Sequence, residues 1–107
     1  MVALRRPFEL IASPPDVPPD PFPVFLQAVD NLDWEEAGPE LAGPGEFTGY
    51  VHQAGDVFRA QGGTNIVPGD YEITEKVSDD SVLLAASPVD PPGDVFDGSI
   101  FGELRRA

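Results

Sequence analysis

The chain has 107 residues, enough for a single domain, and contains no cysteine, so disulfides and thiolate metal sites are excluded. Its 19 acidic and 6 basic residues give a formal net charge of −13, which disfavours binding to nucleic acid and to anionic membranes because both need a basic surface. No stretch approaches the roughly 20 apolar residues that cross a bilayer, and nothing resembles a secretion signal, so we expect a soluble chain.

Residues 1–23 are predicted to form an extended, proline-rich arm. The run SPPDVPPDPFP at residues 13–23 contains six prolines, which favour polyproline II, a conformation without internal hydrogen bonds. The arm also carries apolar side chains that a solvated linker would lack. We therefore expect the arm to bind a surface, either the chain's own β domain or a neighbouring subunit, with a disordered arm as the remaining alternative.

Residues 24–37, the first part of the segment 24–46, carry two competing patterns. Phe25, Val29 and Leu32 follow the i, i+4, i+7 spacing of a helix, while alternate apolar residues in the same stretch suit a strand. The interpretation we favour is a short helix or turn that ends at Gly38-Pro39. The following residues, 38–46 (GPELAGPGE), are expected to be loop.

Residues 47–107 are predicted to form a small β domain. A β pattern begins at its first residue, and a strand at 56–60 follows a glycine turn. The strongest element is YEITEKVSDDSVLLAAS (71–87), which predicts a β-hairpin, although Glu75 lies on its apolar face. The final segment, VFDGSIFGELRRA, is apolar enough to close the core or dock on it.

The predicted fold is mainly β: a small antiparallel barrel or sandwich of short strands, with an extended proline-rich N-terminal arm and at most one short helix. A β region of about 60 residues without metal or disulfide is marginally stable on its own. The small size of the β region therefore predicts that the arm adds stability by packing against the barrel or against a neighbouring subunit.

No group of residues in the sequence indicates catalysis, a cofactor or a metal ion. His52 is the single histidine, and we expect it to be structural and to lie on a strand, because a catalytic triad or a zinc site needs several partners. The Asp79-Asp80 pair is predicted to serve the hairpin turn. Asp90, Asp94 and Asp97 could gather a calcium ion but lack the ligand spacing of a calcium loop. We therefore expect no enzyme activity and no cofactor.

Two runs, GDVFRAQGG (55–63) and VPGDYEITEKVSDDSVLLAAS (67–87), resemble a pattern of small β-rich virion proteins of tailed bacteriophages. In that pattern a Gly-Asp turn opens a strand, a Tyr-x-Ile strand follows, and a Ser-Asp turn leads into a leucine-rich return strand. The resemblance covers about a third of the chain. It implies a non-enzymatic structural protein: a capsid decoration (cement) protein, or a head–tail connector or tail component. We prefer decoration, because a connector that lines the DNA path would gain little from an acidic body.

The expected partners are protein subunits of a larger assembly, namely the major capsid protein or further copies of this chain, with a trimer as one arrangement. The expected location is the virion, assembled in the host cytoplasm, without direct contact to nucleic acid or membrane. An alternative of another class is an acidic inhibitor that imitates DNA, and a further alternative is a small-ligand-binding barrel. The candidate partner-binding residues lie in the arm and at the basic tips of the chain: Arg5, Arg6, Phe8, Val17, Phe22, Phe25, Arg105 and Arg106.

Overall fold

A computed structural model describes residues 19–107 of the chain. These residues form six β-strands and no helix, so the fold is mainly β as predicted. The described part accordingly has no helix that could cross a membrane. The strands are β1 (Val24–Glu35), β2 (Glu40–Ala42), β3 (Val57–Gly62), β4 (Gly69–Ser78), β5 (Ser81–Leu84) and β6 (Val95–Arg106).

The six strands close into one barrel in the order β1-β2-β5-β4-β3-β6, which returns to β1. Every neighbouring pair is antiparallel. The long strands β1 and β6 pair along most of their length, from Val24 opposite Arg106 to Trp34 opposite Val95. Of the two predicted architectures, the antiparallel barrel is therefore confirmed and the sandwich is not formed.

Large apolar side chains fill the interior of the barrel. Trp34, Phe47 and Phe58 are the largest of those that are fully buried. Aliphatic side chains from β1, β2, β4, β5 and β6 pack around them in one cluster: Val29, Leu32, Leu41, Ile73, Val82, Leu84, Ile100 and Leu104. Because alternate residues of a strand face opposite sides, each strand contributes one face to this cluster. The barrel is held together by the burial of a single continuous core.

β1 occupies the stretch where the sequence favoured a short helix, and that prediction is wrong. The register of β1 against β6 shifts between Phe25 and Gln27, and it shifts again between Val29 and Leu32. Each β-bulge adds a residue to the strand, and Asn31, with a φ of 55°, lies in the second one. The bulges create the helix-like spacing: Val29 and Leu32 both face the core, while Phe25 is 51% exposed.

The β domain begins earlier in the chain than predicted. Within residues 38–46, expected to be loop, β2 forms and pairs with β1 and β5. Residues 47–56, where the β pattern was expected to start, form turns and irregular backbone instead. Phe47 and Tyr50 in this loop are nevertheless buried in the core cluster. The barrel is therefore built from residue 24 onwards, and its core is larger than residues 47–107 alone would allow.

The predicted β4–β5 hairpin is confirmed. Its strands are joined by a turn at residues 79–80, with Ser78 opposite Ser81. The register shifts between Ile73, which faces the core, and Glu75. This irregularity turns Glu75 outwards, which explains why a charged residue can occupy a position that simple alternation would place in the core.

β6 closes the barrel between β1 and β3, as the apolar C-terminal segment predicts. Ile100 and Leu104 face the core, whereas Phe96 and Phe101 are exposed. Gly102 lies on β6 opposite Ala60 of β3, and a Cβ atom at this position would overlap the carbonyl oxygen of Arg59. The pairing of β6 with β3 therefore requires glycine here.

Candidate functional site

The first residues of the described chain and the last strand meet on the outside of the barrel. β1 begins where β6 ends, since Val24 pairs with Arg106. We call residues 19–23, which lead into β1, the arm root. Because side chains alternate along a strand, Arg105 points to the arm root while Arg106 points to the opposite side of β6, towards Asp56.

Two arginines on the outer wall hold the arm root. Arg105 donates a hydrogen bond from Nε to the carbonyl oxygen of Phe22 at 2.8 Å, and one from Nη2 to the carbonyl oxygen of Pro23 at 3.1 Å. Arg59, on β3, donates two hydrogen bonds to the carboxylate of Asp20, at 2.8 and 2.7 Å. The arm root therefore crosses the outside of β6 and reaches β3.

The contact between Asp20 and Arg59 is a bidentate ion pair with a second carboxylate beside it. Hydrogen bonds from Arg59 hold the pKa of Asp20 well below its usual range, and the backbone N–H of Phe22 lowers it further. Asp20 and Asp70 together raise the pKa of Arg59. Both groups keep their charge at ordinary pH, and the bidentate geometry fixes the direction in which the arm root runs.

Replacing Asp20 by alanine should loosen the arm root without changing the barrel. The change removes the ion pair with Arg59 and the acceptor of the Phe22 N–H. We expect the Phe22 amide to exchange with deuterium about tenfold faster, as for the loss of a hydrogen bond to a charged group, while core amides keep their rates. Asp79→Ala, which removes an exposed ion pair with Lys76, is the control. Unchanged exchange at Phe22 in the first variant would show that the ion pair does not anchor the arm root.

On the other side of β6, Arg106 closes over a buried carboxylate. Asp56 is 0% exposed and accepts hydrogen bonds from Nε and Nη2 of Arg106 at 2.8 and 2.9 Å. The hydroxyl of Tyr50 donates to it at 2.7 Å, and the backbone N–H of Gln53 donates at 3.0 Å. Four donors thus satisfy the two carboxylate oxygens, which compensates for their removal from water.

This buried network has a fixed protonation state. Burial alone would raise the pKa of Asp56, but hydrogen bonds from Arg106 and Tyr50 outweigh it and hold the pKa at about 2. Burial also raises the pKa of Tyr50, and the hydrogen bond to the neighbouring carboxylate raises it further. Asp56 stays ionised and Tyr50 stays protonated at ordinary pH, so the network stabilises the structure and does not titrate in that range.

Of the eight predicted partner-binding residues, the structure describes four. Phe22 is half-buried in the arm root, and Phe25 is 51% exposed with the guanidinium of Arg105 lying 5.9 Å from its ring centroid. Arg105 and Arg106, at the C-terminal end of β6, donate hydrogen bonds to Phe22 and Asp56 of their own chain. The other predicted residues lie outside the described part: Arg5, Arg6, Phe8 and Val17.

The described surface is strongly negative. Residues 19–107 hold 17 acidic and 4 basic side chains, a net charge of −13. All four basic side chains form ion pairs, and these involve five of the carboxylates. The other twelve carboxylates have no basic partner among residues 19–107. Such a surface attracts cationic groups and repels polyanions.

The candidate metal ligands are not brought together. Among residues 19–107, no three His, Asp or Glu side chains are placed to hold a metal ion. His52 lies in a loop and not on a strand, and its Nε2 is 2.8 Å from the carbonyl oxygen of Ile73. Asp94 and Asp97 instead accept hydrogen bonds from neighbouring loops. These residues stabilise the loops that connect the strands.

A groove on the same outer wall was not predicted from the sequence. It has a volume of about 450 Å³ and opens to solvent. We call it the wall groove. Its residues come from three strands that meet beside the second bulge of β1, so no local sequence pattern signals it. Those most relevant to binding are Ala28, Asp30, Asn31, Gln61, Phe101 and Gly102.

Comparison of the chain with protein-family models, with curated proteins and with solved structures finds no match in any of the three.

Proposed function

We propose that this chain is a non-enzymatic structural protein of a virion, and that it decorates a capsid by binding neighbouring subunits through its arm and its β barrel. The observation that carries the proposal is the anchored arm root. Hydrogen bonds from Arg59 and Arg105 fix the point where residues 1–18 join the barrel. A fixed origin suits an attachment segment, because it reduces the conformational freedom that the segment loses on binding.

The barrel is suited to contacts on its outer surface. Its interior is filled by apolar side chains, which favours assembly over the alternative of a small-ligand-binding barrel. Large apolar side chains are exposed on the outside instead, with Val51 73% exposed, Phe96 64% and Phe25 51%. A protein partner would bury such side chains and gain hydrophobic stabilisation.

The charge of the barrel favours one kind of partner surface. With twelve carboxylates that lack a basic partner in the described part, the barrel would bind a protein surface that offers lysine or arginine. The major capsid protein, or further copies of this chain, would supply that surface. The same charge disfavours direct contact with nucleic acid or with an anionic membrane.

Deleting residues 2–18 should abolish attachment to the capsid and leave a folded barrel, since the arm root and all six strands remain. The measurement is co-sedimentation of the purified variant with capsids that lack the protein, beside the full-length chain. Circular dichroism and a cooperative unfolding transition serve as controls for folding. Full occupancy by the truncated chain would contradict the role of the arm.

A head–tail connector or tail component is a second candidate within the same class, because an arm-bearing barrel also suits a ring of subunits. Copy number separates the two. A decoration protein follows the copy number of the major capsid protein, whereas a connector or tail ring is present once per particle. Quantitative mass spectrometry of purified particles decides between them, and particles that lack the chain altogether would overturn both.

One observation favours a function of another class. The twelve carboxylates without a basic partner among residues 19–107 could imitate the phosphates of DNA. Such a mimic would inhibit a DNA-binding nuclease, and the inhibition would weaken as the salt concentration rises. No inhibition at micromolar concentration of the purified chain would remove this candidate.

A further inference from the structure

The wall groove combines an exposed aromatic ring with an acidic side chain. Phe101 is 44% exposed, and its ring lies so close to Gly62 that a Cβ there would come within 2.7 Å of it. The ring thus lies against the backbone of Gly62, and it also lines the groove. Asp30 lines the groove from β1, and no basic side chain of the described residues lies within ion-pair distance of it.

A ligand that fits this groove offers a cation to Asp30 and a flat apolar group to Phe101. Aromatic rings stack or pack edge to face with gains beyond simple burial, and an arginine pairs well with a carboxylate. The small side chain of Ala28 leaves room in the groove, which Gly102 lines with its backbone. Its volume of about 450 Å³ is sufficient for an aromatic side chain beside an arginine.

One segment of this chain has that composition. Residues 5–8 read Arg-Arg-Pro-Phe, with two cations next to a proline and an aromatic ring. Arg5 and Arg6 are the only basic residues of the chain outside the described part, and all four inside it already form ion pairs. Charge complementarity therefore points to the segment of residues 5–8 as the occupant of the acidic groove.

The groove and the arm root lie on the same wall of the barrel. Arg59, which holds Asp20, points outwards from β3 because Phe58 and Ala60 point into the core. Gln61, which lines the groove, is exposed on the same strand. The two sites are therefore two residues apart along one strand, about 7 Å. Because the two sites are so close, the length and direction of the arm determine whether residues 5–8 reach the groove of their own copy or that of another copy.

The length of the arm favours the groove of another copy. In the polyproline II conformation that its prolines favour, the run from Ser13 to Asp20 spans about 22 Å. The five residue steps from Phe8 to Ser13 extend at most about 17 Å. Phe8 could reach the groove of its own copy only if residues 8–13 turned back and ran antiparallel to residues 13–20. The groove of a second copy facing the same wall is reached without such a reversal.

We propose that residues 5–8 of one copy bind in the wall groove of a second copy, where an arginine pairs with Asp30 and Phe8 packs against Phe101. This inference rests on the proposed function in that the arm is an attachment segment, and it names a second copy of this chain as a partner. Because the arm root and the groove share one wall, two facing copies can exchange arms reciprocally in a symmetric contact.

The test is a charge exchange in the full-length chain. Asp30→Lys, or the pair Arg5→Glu and Arg6→Glu, should each weaken self-association at least tenfold, measured by sedimentation equilibrium at low salt. The variant that carries all three changes should associate within about threefold of the wild type, because the charges are exchanged and not removed. Glu75→Lys makes the same charge change on β4, away from the groove, and is the control.

Three results would overturn the inference. They are a wild-type chain that is monomeric at all concentrations, an effect of Asp30→Lys no larger than that of Glu75→Lys, and a triple variant that associates no better than Asp30→Lys alone. A monomer that still attaches to capsids would overturn this inference and leave the proposed function standing. Self-association that follows the charge exchange, in a chain absent from particles, would support the inference and overturn the proposed function.

Discussion

Replacing Asp56 by asparagine should lower the free energy of unfolding by about 3 kcal/mol, the lower end of the cost of breaking a buried ion pair. The amide keeps the shape of the carboxylate but removes the charge that faces Arg106. Its nitrogen cannot accept a hydrogen bond: in the place of Oδ1 it would face Nε of Arg106, and in the place of Oδ2 it would face the donors of Tyr50 and Gln53. Urea unfolding followed by the fluorescence of the buried Trp34 measures the change.

The control for this experiment is the same substitution at an exposed ion pair. Asp79, whose side chain is 64% exposed, pairs with Lys76. Such a pair contributes little because water screens it, so Asp79→Asn should change stability by less than about 0.5 kcal/mol. Equal losses in the two variants would contradict the structural role assigned to the buried network.

The lowered pKa of Asp56 also predicts how the free energy of unfolding depends on pH. Folding lowers the pKa of this carboxyl from 3.8 to about 2. Its contribution is therefore fully present above pH of about 4 and is lost as the pH falls through about 2. The difference in stability between the wild type and Asp56→Asn should shrink by about 2 kcal/mol over that range. If the difference in stability between the two proteins did not depend on pH, the ionised carboxylate of Asp56 would not be the source of the stabilisation.

Replacing Gly102 by alanine should destabilise the barrel by about 3 kcal/mol, the upper end of what overpacking costs. The new Cβ would overlap the carbonyl oxygen of Arg59 and come within 2.8 Å of the Phe58 ring. Both neighbours lie on β3, so β6 would have to move away from β3 where the two strands pair. The measurement is again the free energy of unfolding in urea, with circular dichroism to confirm that the strands form.

Gly93→Ala is the matched control, because a Cβ at Gly93 would meet no atom within 4 Å. We expect the free energy of unfolding of this variant to rise by less than about 1 kcal/mol, because alanine reduces the conformational freedom of the unfolded chain. If both alanine variants were equally stable, the close approach of β6 to β3 would not limit the residue at position 102.

Local patterns were sufficient to predict the elements that short-range contacts determine. The β4–β5 hairpin follows from alternation on either side of a short polar turn, and both strands lie close together in the sequence. β1 could not be assigned in the same way. Its bulges at residues 25–27 and 29–32 form against β6, and the spacing they produce imitates a helix.

The candidate site was less predictable than the fold. The sequence indicated the arm as a binding segment and the arginines near the C-terminus as contact residues, but not which groups they bind. Arg105 meets Phe22 and Arg106 meets Asp56 only because β6 closes the barrel. Arg59 carries one signal in hindsight, since it is an isolated cation in an acidic stretch. The partners of these arginines follow from tertiary structure alone.

The position of β6 in the chain determines when this protein can fold. β6 is the strand that joins β1 to β3, and the contact of Arg105 with Pro23 links residues that are 82 positions apart. The barrel therefore cannot close until the ribosome has released residue 106. Until then β1 and β3 each present an open edge to other nascent chains. Closure through such distant pairing is slow compared with hairpin formation, so the two edges stay exposed at least until β6 has been synthesised.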